Sequence, residues 1–328
     1  MKNYFFTRNL LSVQVSCAIS NLIDGDSEFI IESLDDEYFR TMLSNYPSYY
    51  SVSKMEPVLV PKRSKVLSVV LFLVSMLSFV IRHRIKNSRV FVTYPLHLSQ
   101  SLYLKIFRLF GAEVHFFEEG SCFYKSNSQL EDDRYLHSTR FKKLLIQGLK
   151  LDAGYRATPD VWHSVLNVNS NGNSVSVRLN YDDMDASEIR RLFLSRPLQE
   201  DFGIGFDVYI NAIKKFAEHT SNIDSPLYIK FHPREPQRFR DKVLEELSGC
   251  CTVRPLDTKS AAENVVFNMK KQSIVGGFET ATLVYANAIN DTVRIISMLR
   301  HVKEHDRSGI LSEYYDDYSS RYDWIEFL

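Results

Sequence analysis

Twice along this chain, short runs of β-branched and aromatic residues alternate with longer segments whose apolar residues recur at helical spacing. That alternation constrains the fold more than any other feature. In the first half NYFFT, SEFIIES, SRVFVTY and EVHFF read as strands, and LLSVQVSCAISNLI, KVLSVVLFLVSMLSFVI and HLSQSLYLKIFRLF as helices. In the second half RLFLSRPL, LYIKFHP, CTVRPL, SIVGGF and VRIISM read as strands, and VYINAIKKFAEHT, RDKVLEELSG, AAENVVFNMKK and ETATLVYANAI as helices. Strands joined through helices pair in parallel by right-handed crossovers, so each half is predicted to form a doubly wound α/β sheet. A length of 328 residues accommodates two such domains. The first is expected over 1–160 and the second over 188–304, facing each other across a cleft. The polar stretch SVLNVNSNGNSVSVRLNYDDMDAS places a linker at 161–187 between them. The tail EYYDDYSSRYDWIEFL offers Trp324, Ile325, Phe327 and Leu328 for burial, so 305–328 is expected to be a helical segment docked on one domain.

Charge narrows the function classes. Forty basic residues balance forty acidic ones, which argues against a nucleic-acid binder. Cys17, Cys122, Cys250 and Cys251 lack the spacing of a zinc knuckle or a thiol-redox pair, so reduced thiols and a cytoplasmic setting are expected. The opening MKNYFFTRNLL does not read as a secretory signal. The run at 65–81 is interrupted by three serines and is too short to span a bilayer, so a buried helix is expected. Basic clusters PKRSK and RHRIKNSR flank it, and residues 62–88 are therefore also a candidate for peripheral contact with an anionic inner membrane.

Three stretches carry candidate chemistry. EVHFFEEGSCFY ends an aromatic strand in Glu118 and Glu119, with Gly120 where the chain turns. In open α/β sheets ligands bind beyond the carboxyl ends of the strands, so a carboxylate there is placed to act as a general base. Neighbours on a strand point to opposite faces, so one of the two reaches substrate and the other is structural. YIKFHPREP puts His232 at a strand end closed by Pro233, with Lys230 and Arg234 beside it, a set able to hold a phosphate. GGFETATLVYANA ends a strand at Gly277 and starts a helix near Thr280 or Thr282, with Glu279 in the first turn. This is a further anion site or an ordinary cap.

Together the three stretches resemble the bacterial sialyltransferases, which carry an acidic-acidic-Gly motif in a first domain, a His-Pro motif in a second, and a Ser-Ser/Thr motif beyond. The matching residues are Glu118, Glu119 and Gly120, then His232 and Pro233, and the phrase FLSRPL opening the second domain is also similar. Glu279 and Thr280, or Thr280 and Thr282, stand where two hydroxyls are usual, and the resemblance runs from about residue 89 to 288. It implies a GT-B-like glycosyltransferase. The reaction implied is inverting transfer of sialic acid from CMP-sialic acid to a sugar hydroxyl, galactose first, of a lipopolysaccharide or capsule glycan or a lipid-linked oligosaccharide, without metal or bound cofactor. By resemblance Glu118 is preferred as the base over Glu119. His232 would assist the departing phosphate, with Lys230, Pro233, Arg234, Gly120, Gly277, Glu279, Thr280 and Thr282 around the donor.

Two rival readings are kept. Asp183 and Asp185 form an Asp-x-Asp pair able to hold a divalent metal against a different nucleotide sugar, although capping of the helix expected at SEIRRL explains them as well. A non-catalytic membrane-surface or sugar-binding protein would use residues 62–88 and leave Glu118, Glu119 and His232 as plain strand ends. A glycosidase is disfavoured, because its two carboxyls must face each other across the scissile bond, which adjacent strand residues do not.

Overall fold

The computed structural model describes residues 1–33, 35–55, 65–93, 98–118, 144, 146–151, 159–166, 173–179, 181, 184–258 and 260–328. The chain forms two compact units, Met1–Asn180 and Tyr181–Leu328. The first is built on β1 (Lys2–Thr7), β2 (Asp26–Glu32), β3 (Ser51–Met55), β4 (Arg89–Thr93), β5 (Glu113–Phe117), β6 (Val161–Ser164) and β7 (Ser174–Ser176). They pair in parallel in the order β3-β2-β1-β4-β5-β6-β7. The second unit holds β8 (Arg191–Leu194), β9 (Leu227–Lys230), β10 (Val253–Pro255), β11 (Ile274–Gly277), β12 (Arg294–Ser297) and β13 (Ile325–Phe327). These too are parallel, in the order β10-β9-β8-β11-β12-β13. Both orders grow outward from a first strand and then reverse, as in a doubly wound Rossmann-like sheet. The switch points fall between β1 and β4 and between β8 and β11.

Aromatic registry fixes the first sheet. Phe5 lies opposite Phe29 on one side and Phe91 on the other. The three rings stack at centroid distances of 5.0 and 4.3 Å. On the opposite face Phe6 meets Phe79, Tyr103 and Phe107 from the helices Lys65–His83 and Leu98–Leu109. With both faces covered, the strands read as nearly unbroken apolar runs rather than as alternating ones. In the second unit Phe193 packs on Phe216 and Phe278, and the absent side chain of Gly276 makes room for the Phe216 ring.

Three segments differ from the sequence reading. Residues 161–187 include β6 and β7, which extend the first sheet. Their Asn- and Ser-rich composition reads as a linker, but backbone pairing of β6 on β5 and of β7 on β6 decides the outcome. SEIRRL is a turn leading into β8 rather than a helix. The tail does form a helix, Ile310–Arg321, with Leu311 and Tyr318 buried, and then adds β13 as a sixth strand beside β12.

Candidate active site

In the first unit the carboxyl ends of the strands carry a buried polar row. Thr7, Glu32 and Thr93 end β1, β2 and β4, Glu118 directly follows β5, and all four are buried. Arg8 pairs with Glu32, which also accepts from the Tyr103 hydroxyl. Gln100 donates to Thr93 Oγ1 at 2.9 Å. Glu118 is 0% exposed, and its Oε2 accepts the backbone N–H of Val165 at 2.7 Å. The carboxylate thus ties the end of β5 to the segment leaving β6. Glu119 and Gly120 lie outside the described residues.

In the second unit the stretch after β9 folds into a tight turn built around Glu235. This carboxylate, 2% exposed, accepts the Ser195 hydroxyl at 2.6 Å, the Tyr209 hydroxyl at 3.4 Å and the backbone N–H of His232 at 2.8 Å. The Glu235 N–H in turn donates to His232 O at 3.0 Å. Arg240 reinforces the loop by donating from Nε to Glu235 O at 2.8 Å and from Nη2 to His232 O at 3.2 Å. Burial raises the carboxyl pKa of Glu235. His232 Nδ1 accepts the backbone N–H of Arg234 at 3.2 Å. Burial first, then the charges of Arg234 and Arg196, depress His232 to a pKa of about 4. The imidazole is therefore neutral near pH 7, and with Nδ1 accepting, its one ring proton belongs on Nε2.

The cations flanking His232 are engaged elsewhere. Arg234 makes a two-pronged bond to Asp201 with both N–O distances 2.8 Å, which lowers the aspartate's pKa. Lys230 Nζ donates to Thr258 O at 3.1 Å, and burial lowers its pKa. The expected convergence of Lys230, His232 and Arg234 on one phosphate is thus not what their described partners show. Arg196 instead bridges the switch point between β8 and β11. It donates to Glu279 O at 2.8 Å, pairs with the Glu279 carboxylate and lies 3.6 Å from Asp201. Glu279 is buried and accepts from the Tyr318 hydroxyl at 3.2 Å.

The third stretch is largely structural in its contacts. Thr280 is the N-cap of helix Ala281–Ile289, its side chain accepting from the Leu283 N–H. Thr282 turns inward and donates to Glu263 at 2.7 Å. Gly277 sits where a Cβ would stand 3.1 Å from Leu194 O, a close strand approach. Pro233 is exposed in the turn after β9. Of the Asp-x-Asp pair, Asp183 lies outside the described residues, and Asp185 caps a turn by accepting the Ser187 N–H at 3.1 Å. Among the described residues no cluster of His, Cys, Asp and Glu has the arrangement of a metal site. Sequence reasoning passed over Ser195, Arg196, Tyr209 and Glu235. The signal for Glu235 was its place three residues after His232, the spacing of a capping box.

A family model described as Alpha-2,8-polysialyltransferase (POLYST) matches residues 27–299. Among solved structures, the Methanocaldococcus jannaschii UDP-GlcNAc 2-epimerase in complex with UDP-GlcNAc and UDP aligns with a TM-score of 0.53 and 11% identity, covering 100% of this chain and 89% of that one. A protein from Listeria monocytogenes described as a UDP-N-acetylglucosamine 2-epimerase aligns with a TM-score of 0.51 and 11% identity, over 98% of this chain and 89% of the other. At such identity the likeness establishes the fold of two Rossmann-like domains and nothing finer. A search of curated proteins gives no match.

Proposed function

This chain belongs to the alpha-2,8-polysialyltransferase family, a group of sialyltransferase-type glycosyltransferases, and from that premise we propose that it moves sialic acid from CMP-sialic acid to a hydroxyl of a bacterial surface glycan. The transfer proceeds with inversion, on the cytoplasmic side of the membrane, and needs neither a metal nor a bound cofactor. The alpha-2,8 linkage in the family description favours an acceptor already ending in sialic acid over one ending in galactose.

The observation that carries the reading is the seating of His232 just beyond the end of β9, with its Nδ1 accepting the Arg234 N–H and so leaving Nε2 to face a ligand. A neutral imidazole whose Nδ1 is occupied by the Arg234 N–H offers Nε2–H to a ligand. As the bond from sialic acid to CMP breaks, negative charge grows on the phosphate, and a fixed N–H donor at a strand end stabilises it. Glu235 is a positioning residue that holds the His232 backbone. Lys230, Pro233 and Arg234 shape the same turn, and Gly277, Glu279, Thr280 and Thr282 form the neighbouring edge of the donor subsite.

For the base, the buried carboxylate of Glu118 on the Val165 N–H supports a structural role. Alternation along the strand then directs Glu119 the other way, and we assign proton abstraction from the acceptor hydroxyl to Glu119, with Gly120 leaving space for the sugar.

The test is transfer from CMP-sialic acid to galactose-terminated and sialylated acceptors, with a chelator present, for the parent, Glu118→Gln, Glu119→Gln and His232→Ala. Losses of roughly a hundredfold or more in Glu119→Gln and His232→Ala, with activity surviving chelation, are expected. Transfer to none of these acceptors, or full activity in His232→Ala, overturns the proposal.

A further inference from the structure

The acidic and basic residues of this neutral chain are not evenly spread. Residues 57–112 hold nine of the forty Lys and Arg side chains and none of the forty Asp and Glu, which leaves the remainder nine charges negative. This acid-free stretch contains the helices Lys65–His83 and Leu98–Leu109. A segment that only had to fill a core would have no reason to exclude carboxylates from its exposed turns.

The first of these helices has two distinct faces. Met76 and Val80 are buried, and Phe79 packs at 5.9 Å on Tyr4 and 5.8 Å on Phe6. This face belongs to the core. Val70, Val74, Leu77 and Ile81 are 48, 58, 40 and 70% exposed. Their spacing of four, three and four residues places them in one stripe along the helix. Arg82, Arg84 and Lys86, all exposed, follow the stripe. In the same region Asn87 N–H bonds Gly111 O at 3.2 Å, which brings up the end of the second helix, where Leu109 is 73% and Phe110 41% exposed. Among the described residues no helix is long and apolar enough to cross a membrane. The core face of this helix is moreover already committed, so only its outer stripe is available.

We infer that this stripe docks in the plane of an anionic lipid bilayer, its apolar side chains entering the boundary between headgroups and acyl chains while the adjacent basic residues meet the headgroups. The combination of an apolar stripe with exposed basic residues is what such a surface recognises; the acids beside them, Glu28 and Glu113, face His83 and Arg89 rather than Arg82, Arg84 or Lys86. Charge complementarity selects this occupant over a symmetric pairing of the same face on a second copy of the chain, which would bring one basic surface against another. Vesicle binding is read without donor or acceptor, so this inference stands or falls separately from the proposed reaction.

The experiment is co-sedimentation of the full chain with vesicles of phosphatidylcholine alone and of phosphatidylcholine with one-third phosphatidylglycerol, at low and high salt. The parent is expected to bind the anionic vesicles, to bind neutral ones weakly, and to release as salt rises. Val74→Glu with Ile81→Glu should lower binding at least tenfold, and Arg82→Gln with Arg84→Gln roughly fivefold per removed charge, with thermal melting unchanged in both. These residues are exposed, so folding should survive; a variant that melts early is replaced by Val74→Ser with Ile81→Ser, which carries the same expectation. Absence of binding to anionic vesicles overturns the inference. So does binding that the Val74 and Ile81 changes leave untouched, or a dimer in solution that those changes dissociate.

Discussion

Replacing Glu235 by Ala separates a turn that merely exists from a turn that positions His232. The carboxylate accepts a charged hydrogen bond from the His232 N–H at 2.8 Å and another from the Ser195 hydroxyl at 2.6 Å. Without it, the Ser195 and Tyr209 hydroxyls, 2.6 Å apart, still satisfy each other. The uncompensated loss is the His232 N–H, worth about 1.5–3 kcal/mol as a bond to a charged group. Relief of the buried carboxylate, whose raised pKa records its desolvation, returns part of this, so the net cost is about 1–2 kcal/mol. For a unit of this size that lowers Tm by roughly 3–6 °C. The catalytic consequence is larger than stability alone implies, because the lost carboxylate fixes the backbone that carries the imidazole, and a misplacement of about 1 Å at a reacting group can cost roughly 100-fold. The expected pattern is therefore a 10- to 100-fold lower kcat with donor KM within about threefold, and recovery to within about fivefold in Glu235→Gln, whose amide oxygen can still accept the His232 N–H. Steady-state kinetics on CMP-sialic acid and thermal melting of the same preparations measure both. A lower Tm with kcat/KM within twofold of the parent would refute the positioning role and leave Glu235 a structural residue.

Two further outcomes follow from the same unit. His232 has a folded pKa of about 4, below its ordinary 6.5, so the native state declines a proton that the unfolded chain accepts. Its contribution to stability is complete above pH 6.5 and drains as pH falls toward 4, so melting of the parent should decline more steeply over that window than melting of His232→Gln. Gly276→Ala would place a Cβ 2.3 Å from a carbon of the Phe216 ring, which is fully buried against Phe193 and cannot swing away. A loss of about 1–3 kcal/mol in urea unfolding is expected, partly restored by Phe216→Leu, and a neutral Gly276→Ala would contradict the packing described.

How far the sequence is readable depends on whether a residue's fate is settled locally. The strands β1, β2, β4, β5, β8, β9, β11 and β12 announce themselves because burial on both faces demands apolar runs, and each run is bounded by a turn signal. β6 and β7 carry no such mark. VWHS and SVS are short, and they become strands only because β5 offers an edge to β6 and β6 in turn offers one to β7. The tail behaves alike, since Ile325–Phe327 pairs because β12 is waiting. Arg196 and Glu279 are separated by 83 residues and meet only because the strand order reverses between β8 and β11.

Glu118 shows where the limit falls within a single motif. Period-2 alternation leads one to expect that neighbouring acids at a strand end point apart, and it is silent on which of them points inward. What turns Glu118 inward is the N–H of Val165, 47 residues downstream, on the segment that follows β6, a strand the composition conceals. A preference between the two acids drawn from the motif alone therefore lacks the contact that distinguishes them. Once β6 is in place, the Glu118 carboxylate is fully buried and accepts the Val165 N–H, and it is this contact on which the proposed assignment of the base to Glu119 rests.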